Sequence, residues 1–269
     1  MTAVDSAQFK RFIAGLDTFS TTDNEFQRTD VAPEGTFGDG RLDAADQQQM
    51  DNYIAVLDPP RTGGGPTAPI QGRDGDDSVY ARSEGQGRIY RIVPTTGSRG
   101  DEVIVTIELD TKGNETGMSF TIGFDPSKLS FSAISGTNNN ADVTDGSGSR
   151  AGMNRTLNAA EADSGRLGLL LDSPSPLEAR NIQIVNLRFR ILAGAESGAT
   201  PLTFADDSIP RSTTNANAES LDAAYQNGEV TIKTGSTGGS PVRRPRWLHS
   251  VDSRETYAAE AVWKAIFSF

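Results

Sequence analysis

The stretch Glu102–Asp110, EVIVTIELD, alternates: Val103, Val105, Ile107 and Leu109 share one face of an extended chain, and Thr106, Glu108 and Asp110 share the other. A period of two fits a half-buried β-strand, whereas a helix would scatter those four apolar side chains around its circumference. The pattern returns in MSFTIGF, where Met118, Phe120, Ile122 and Phe124 alternate with Ser119, Thr121 and Gly123. It returns again in VNLRFRI, where Val185, Leu187, Phe189 and Ile191 alternate with Asn186, Arg188 and Arg190. Further short strands are expected at 88–93, 129–133, 166–171, 201–204 and 229–233. With 28 glycines and 13 prolines to supply turns, the expectation is a mainly β fold, a two-sheet antiparallel sandwich over residues 79–234.

The formal net charge of −11 speaks against a nucleic-acid surface, which needs clustered Lys and Arg. There is no cysteine, so disulfides, thiolate metal sites and cysteine nucleophiles are excluded. No apolar run approaches the length of a transmembrane segment. The start MTAVD lacks the basic and apolar regions of a signal peptide, so export would require a signal outside this chain. The single histidine, His249, lies in the tail, away from any nucleophile–base pair in the sandwich. Glu161, Asp163 and Asp172 are acids beside a strand, which most often means solvated surface. A non-enzymatic protein is expected.

Ahead of the sandwich, a shift of 41 residues lays DQQQMDNYIAVLD (Asp46 to Asp58) over DSAQFKRFIAGLD (Asp5 to Asp17). Each copy carries one apolar helical face, Phe9, Phe12, Ile13 and Leu16 in the first and Met50, Tyr53, Ile54 and Leu57 in the second, so two amphipathic helices that can pack together are expected. Before the second copy stands GDGRLDAAD, with acids at Asp39, Asp43 and Asp46 and a glycine after the first. Those are the spacings of the second half of a helix–loop–helix calcium loop. They also suit a DG turn followed by a helix capped by Asp43.

A duplicated acid-rich loop followed by a helix ending in Tyr/Phe-Ile resembles a dockerin, a small EF-hand-like calcium module that docks onto cohesin domains. The resemblance covers Met1 to Asp58. It implies one Ca2+ site formed by Asp30, Asp39, Asp43, Asp46 and the carbonyl of Arg41. Asp30 stands sixteen residues before Asp46 where an uninterrupted loop has eleven, so an insertion within 32–37 is implied. The usual third ligand is then missing, which places the affinity toward ~10⁻⁴ to 10⁻³ M. The resemblance further implies partner contacts from Lys10 and Arg11 and from the pairs preceding the last loop acid, Ala3-Val4 and Ala44-Ala45. For Lys10 and Arg11 the alternative is the solvated face of an amphipathic helix.

The later segments resemble a cohesin or cohesin-like domain, a jelly-roll type sandwich. The resemblance is carried in order by Gly100-Asp101, FDPSKLSF (Phe124 to Phe131), LRFRIL (Leu187 to Leu192) and GEVTI (Gly228 to Ile232). The organisation expected is a dockerin-like module at 1–58, a Pro/Gly-rich tether at 59–78, the sandwich at 79–234, and a linker and tail with a possible short helix at 235–269.

Together the resemblances imply an extracellular or cell-surface scaffolding protein that binds cohesin- or dockerin-bearing proteins and is associated with polysaccharide catabolism. Polysaccharide is a further candidate partner, although Tyr80, Tyr90 and Tyr225 are the only non-phenylalanine aromatics of the sandwich. The alternatives are a polysaccharide-acting enzyme component and a structural surface or adhesion protein with a vestigial calcium loop.

Overall fold

The computed structural model describes residues 3–20, 22–69, 87–132, 136–137, 142–148 and 153–234. The tail, with His249, both tryptophans and the helix expected there, lies outside the described residues, as do Tyr80 and the second half of the tether. Residues 1–234 form one compact unit.

Three α-helices open this unit: α1 (Ala3–Ile13), α2 (Glu25–Thr29) and α3 (Ala44–Ile54). The sandwich follows as β1 (Arg88–Ile92), β2 (Thr95–Ser98), β3 (Glu102–Asp110), β4 (Glu115–Gly123), β5 (Leu129–Ser130), β6 (Gly136–Thr137), β7 (Val143–Asp145), β8 (Asn154–Asn158) and β9 (Arg166–Asp172). It is completed by β10 (Asn181–Ile191), β11 (Gly198–Ala205), β12 (Ser212–Asn215), β13 (Ala223–Gln226) and β14 (Gly228–Lys233). One sheet runs β13-β1-β3-β10-β5 with β7 also on β10; the other runs β2-β14-β11-β4-β9-β8-β6 with β12 also on β4. Most pairings are antiparallel, but β1 pairs β13 and β2 pairs β14 in parallel. The chain changes sheets between β1 and β2, beside Pro94, whose missing N–H suits a break in a ladder.

The alternating apolar faces meet between the sheets. Val103, Val105, Ile107 and Leu109 from β3, Met118, Phe120 and Ile122 from β4, and Leu187, Phe189 and Ile191 from β10 are buried in one cluster with Leu167, Leu169 and Leu171 of β9. Each such side chain contributes about 1.5–3 kcal/mol when fully removed from water. Of the quoted motifs, LRFRIL and GEVTI lie in β10 and β14, and the other two form turns around this core. Asp101 accepts the N–H of Ser98 at 2.8 Å, and Asp125 accepts the N–H of Ser127 at 2.9 Å while its carbonyl accepts that of Leu129.

The structure departs from the sequence reading on the second face of β4. Ser119 and Thr121, expected to face solvent, are fully buried. Their hydroxyls donate to the carbonyls of Pro210 and Ile209 at 2.7 and 2.8 Å, and the helices lie over the same side of the sheet. The strand is buried on both faces because a third layer covers it.

That layer is the helical segment, so 1–58 is not an independent module on a free tether. α1 and α3 pack on each other and α3 packs on β4, β9 and β12. Residues 59–69 contain neither helix nor strand, as expected, yet they lie back on the helices. Arg61 pairs with Glu34 at 2.6 Å, and Gln27 donates to the carbonyl of Gly65 at 2.7 Å.

Candidate functional site

The acid loop lies between α2 and α3. Asp30 ends α2, its N–H donating to the Phe26 carbonyl at 2.8 Å. Its carboxylate accepts the N–H groups of Asp39 at 2.9 Å and Gly40 at 2.7 Å. Asp46 accepts the N–H groups of Val31, Ala32 and Asp43 at 2.8, 2.9 and 3.0 Å. Asp43 accepts that of Ala45 at 2.7 Å, which makes Asp43 and Asp46 a capping box at the start of α3. Asp39 accepts the N–H of Arg41 at 3.0 Å. Gly38, at φ 106°, allows the chain to pass Asp30; a Cβ there would stand 2.5 Å from the Asp30 carboxyl carbon. The extra residues of the loop form a bulge with a 3-10 turn at Glu34–Thr36.

Burial pushes the Asp30 carboxyl up to about 6, against its two backbone hydrogen bonds and with added repulsion from Asp39 and Asp43. Burial also raises Asp46, with repulsion from Asp43 and Asp30, and raises Asp43 and Asp39. The structure therefore brings the four expected acids together electrostatically. It does not arrange them as a cage: their oxygens are directed at backbone N–H groups, and among the described residues no three His, Asp or Glu side chains are placed to hold a metal ion.

The expected partner residues are placed differently from the sequence reading. Lys10 is neither solvated nor presented to another molecule. It is buried with its Nζ 3.0 and 3.1 Å from the two carboxylate oxygens of Asp172 on β9. Ala44 and Ala45, 1% and 7% exposed, are turned inward at the start of α3. Of those described, only Arg11 is at the surface, held by Asp17 at 2.6 Å. The side chains of Ala3 and Val4 lie outside the described residues. The physical reason for the burial is the third layer: the helix face carrying Lys10 lies on the sandwich.

The contact between helices and sheet is the second candidate site. Phe9, Ile13, Ala14, Ala44 and Met50 meet Leu170 of β9 and Ile209 in an apolar cluster separate from the intersheet core. Around it, Asn158 of β8 donates to the Ala14 carbonyl at 2.6 Å, and Asn52 donates to the Ala216 carbonyl at 2.9 Å. Asp43 is hydrogen-bonded by Ser212. Asp172 also accepts the Asn154 amide at 2.8 Å, and burial raises its carboxyl despite Lys10 and that amide. Gly117 of β4 lets α3 approach: a Cβ there would lie 3.3 Å from Ala44 Cβ and 2.5 Å from Thr214 Cγ2. Sequence reasoning missed Asp172, Asn158, Gly117 and Leu170 in this role. The run Leu169-Leu170-Leu171 was the available signal, since three consecutive apolar residues in a strand demand burial on both faces.

Of the nominated tyrosines, the two described offer no exposed platform. Tyr90 is fully buried and stacks on half-buried Tyr225, with ring centroids 4.8 Å apart, and Arg211 lies over Tyr225.

The outer face of the two-sheet sandwich is thus covered by a helix pair of the same chain, through one buried ion pair and bonds to backbone carbonyls. The chain belongs to the cohesin-domain family: the family model described as Cohesin domain matches residues 91–232, just over half of it. Cohesin domains are non-catalytic scaffolding modules. Similar solved structures include the sixth cohesin of scaffoldin B from Acetivibrio cellulolyticus, in complex with a dockerin, at 21% identity and TM-score 0.45, covering 55% of this chain and 99% of that one. A cohesin from Clostridium acetobutylicum has 20% identity and TM-score 0.42, with 56% and 94% covered. A non-cellulosomal cohesin from the archaeon Archaeoglobus fulgidus has 10% identity and TM-score 0.43, with 56% and 94% covered. No curated protein matches the chain.

Proposed function

We propose that this protein is an extracellular scaffolding protein whose sandwich recognises a dockerin-type helix pair on the outer face of β8, β9, β4 and β12. The observation that carries the reading is the seating of a helix pair on that face through Lys10–Asp172 and the Asn158–Ala14 bond. Recognition of this kind is scaffolding, with no covalent step. The test is calorimetric titration of the full chain, wild type and Lys10→Glu, with a panel of purified dockerin modules. Uptake by either chain with one module per chain supports the reading; refusal by both overturns it.

A second reading, Ca2+ binding by the loop of Asp30, Asp39, Arg41, Asp43 and Asp46, is supported by the mutual repulsion of its acids. A carboxylate has about four lone-pair positions, so one that accepts two N–H groups retains capacity for a cation. Titration of calcium into the full chain, followed by loop amide shifts, tests it. No response at millimolar calcium sinks it.

A further inference from the structure

We infer that the helix pair α1–α3 is a detachable cap on the partner-binding face of the sandwich, and that the face accepts an outside helix pair only if it brings a cation to Asp172 and a small residue to Gly117. The inference rests on the proposed function for the identity of that face, and goes beyond it in stating what occupies the face and what must replace it.

Four observations carry it. First, the sandwich has its own core: the intersheet cluster closes without any residue of the helices, and the helix–sheet cluster is separate and small. Second, the apolar cluster across the contact is ringed by polar links, among them Lys10–Asp172, Asn158 to Ala14 and Asn52 to Ala216. That is the character of exchangeable interfaces, not of a continuous core. Third, the face beneath the helices is rich in polar side chains. Ser119, Thr121, Thr156, Asn158 and Asp172 lie on it, and the hydroxyls of Ser119 and Thr121 are bonded within the sandwich. Fourth, the helical segment also carries ties of its own. Its two long helices carry matching C-terminal caps, α3 has a capping box, Asp30 and Asp46 tie down the loop, and Phe19 stacks on Phe12 and meets Phe26 edge-on.

The cap joins the sandwich through residues 55–87, which include PPRTGGGP. A connection of such length holds its end at about millimolar effective concentration. If the helix pair alone binds with a dissociation constant of ~1 μM, the face is open in about one molecule in a thousand, and an outside helix pair is weakened ~1000-fold. Removing the connection removes that penalty without changing any contact.

The experiment uses the full chain with a protease site inserted between Gly72 and Arg73, and a fluorescent synthetic peptide of residues 1–58 as the probe. We expect the cut chain to take up the probe at least 100-fold more tightly than the uncut chain. Lys10→Glu in the uncut chain should raise uptake toward that of the cut chain. Asp172→Lys should abolish uptake of the wild-type probe by the cut chain, and a probe carrying Lys10→Asp should restore it. The result that overturns the inference is equal uptake by cut and uncut chains, or a cut chain that retains its own helices through dilution and never exchanges them. The cut-chain comparison needs no substitution and so stands even where a variant fails to fold. Exchange of the probe with refusal of every dockerin module leaves the cap standing and removes the proposed partner; dockerin binding that is equally tight to cut and uncut chains does the reverse.

Discussion

Gly15 and Val56 occupy equivalent positions of the two repeated helices and share one backbone conformation, with φ at 65° and 59°. Each is the left-handed residue of the same C-terminal cap. Leu16 and Gly15 donate to the carbonyls of Arg11 and Phe12, and Leu57 and Val56 donate to those of Asn52 and Tyr53. The 41-residue repeat is therefore preserved down to hydrogen bonds beyond the helices, but only the first copy has the residue that fits the geometry.

Val56 is β-branched in a region that disfavours any Cβ, and its side chain is 83% exposed, so it returns no packing for the strain. We expect Val56→Gly to stabilise α3 by about 1 kcal/mol. Amide exchange in α3 should slow several-fold; faster exchange would show that the strain is compensated elsewhere. The reverse change, Gly15→Val, should loosen the contact with Asn158, which lies 3.4 Å from the position of a Cβ.

The helices and the sandwich were legible because each depends on a local period. The helices follow from Phe9, Phe12, Ile13 and Leu16 at helical spacing, and β3, β4 and β10 from strict alternation. The docking of one on the other was not legible, since it turns on single polar residues far apart in the chain. Lys10 looks the same in sequence whether it meets water or Asp172, 162 residues away. Likewise Ser119 and Thr121 have the polarity of an exposed strand face, and only their bonds to the 209–210 segment reveal their burial. The acid loop was legible as a gathering of carboxylates, but the sequence contains no information on where their oxygens point. Short strands such as β8 and β12 have too few residues to establish a period.

The loop acids set a pH dependence with a definite sign. Asp30 has its carboxyl raised to about 6, and Asp43 and Asp46 are also raised. The folded loop therefore holds protons that the unfolded chain, with an ordinary value near ~3.9, has released. Stability from these groups is fully present below the unfolded value and is lost as pH rises through about 6, following the proton difference between the states. In chelator, thermal unfolding of the helical segment should shift upward between pH 7 and pH 5. A downward shift would mean that the carboxylates are stabilised in their charged form.

The Lys10–Asp172 pair should behave as a buried ion pair. Lys10→Met alone leaves Asp172, among the described residues, with the Asn154 amide as its side-chain partner, a loss of about 3–5 kcal/mol for a buried charge deprived of its partner. Lys10→Met with Asp172→Leu removes both charges and should recover most of that loss. Urea titrations of the two single variants and the double variant measure the coupling. Additive losses would mean that the charges do not interact in the folded protein.

Gly117 offers a way to disturb the contact from the sheet side. In Gly117→Val the new side chain would meet Thr214 Cγ2, 2.5 Å from the Cβ position, and the Ala44 carbonyl oxygen at 3.2 Å. Thr214 belongs to β12 and Ala44 to the first turn of α3, so relief needs a rotamer change at Thr214 and a backbone shift at Ala44. Overpacking of this kind costs about 1–3 kcal/mol. The intersheet core lies on the other side of β4, with Met118 and Phe120, and should be spared. Amide exchange should therefore rise in α1, α3 and the β12 edge while β3 and β10 remain protected to the level of wild type. Uniform loss of protection across both sheets would show that helices and sandwich unfold as one cooperative block, because the disturbance would then have reached the core through the same strand.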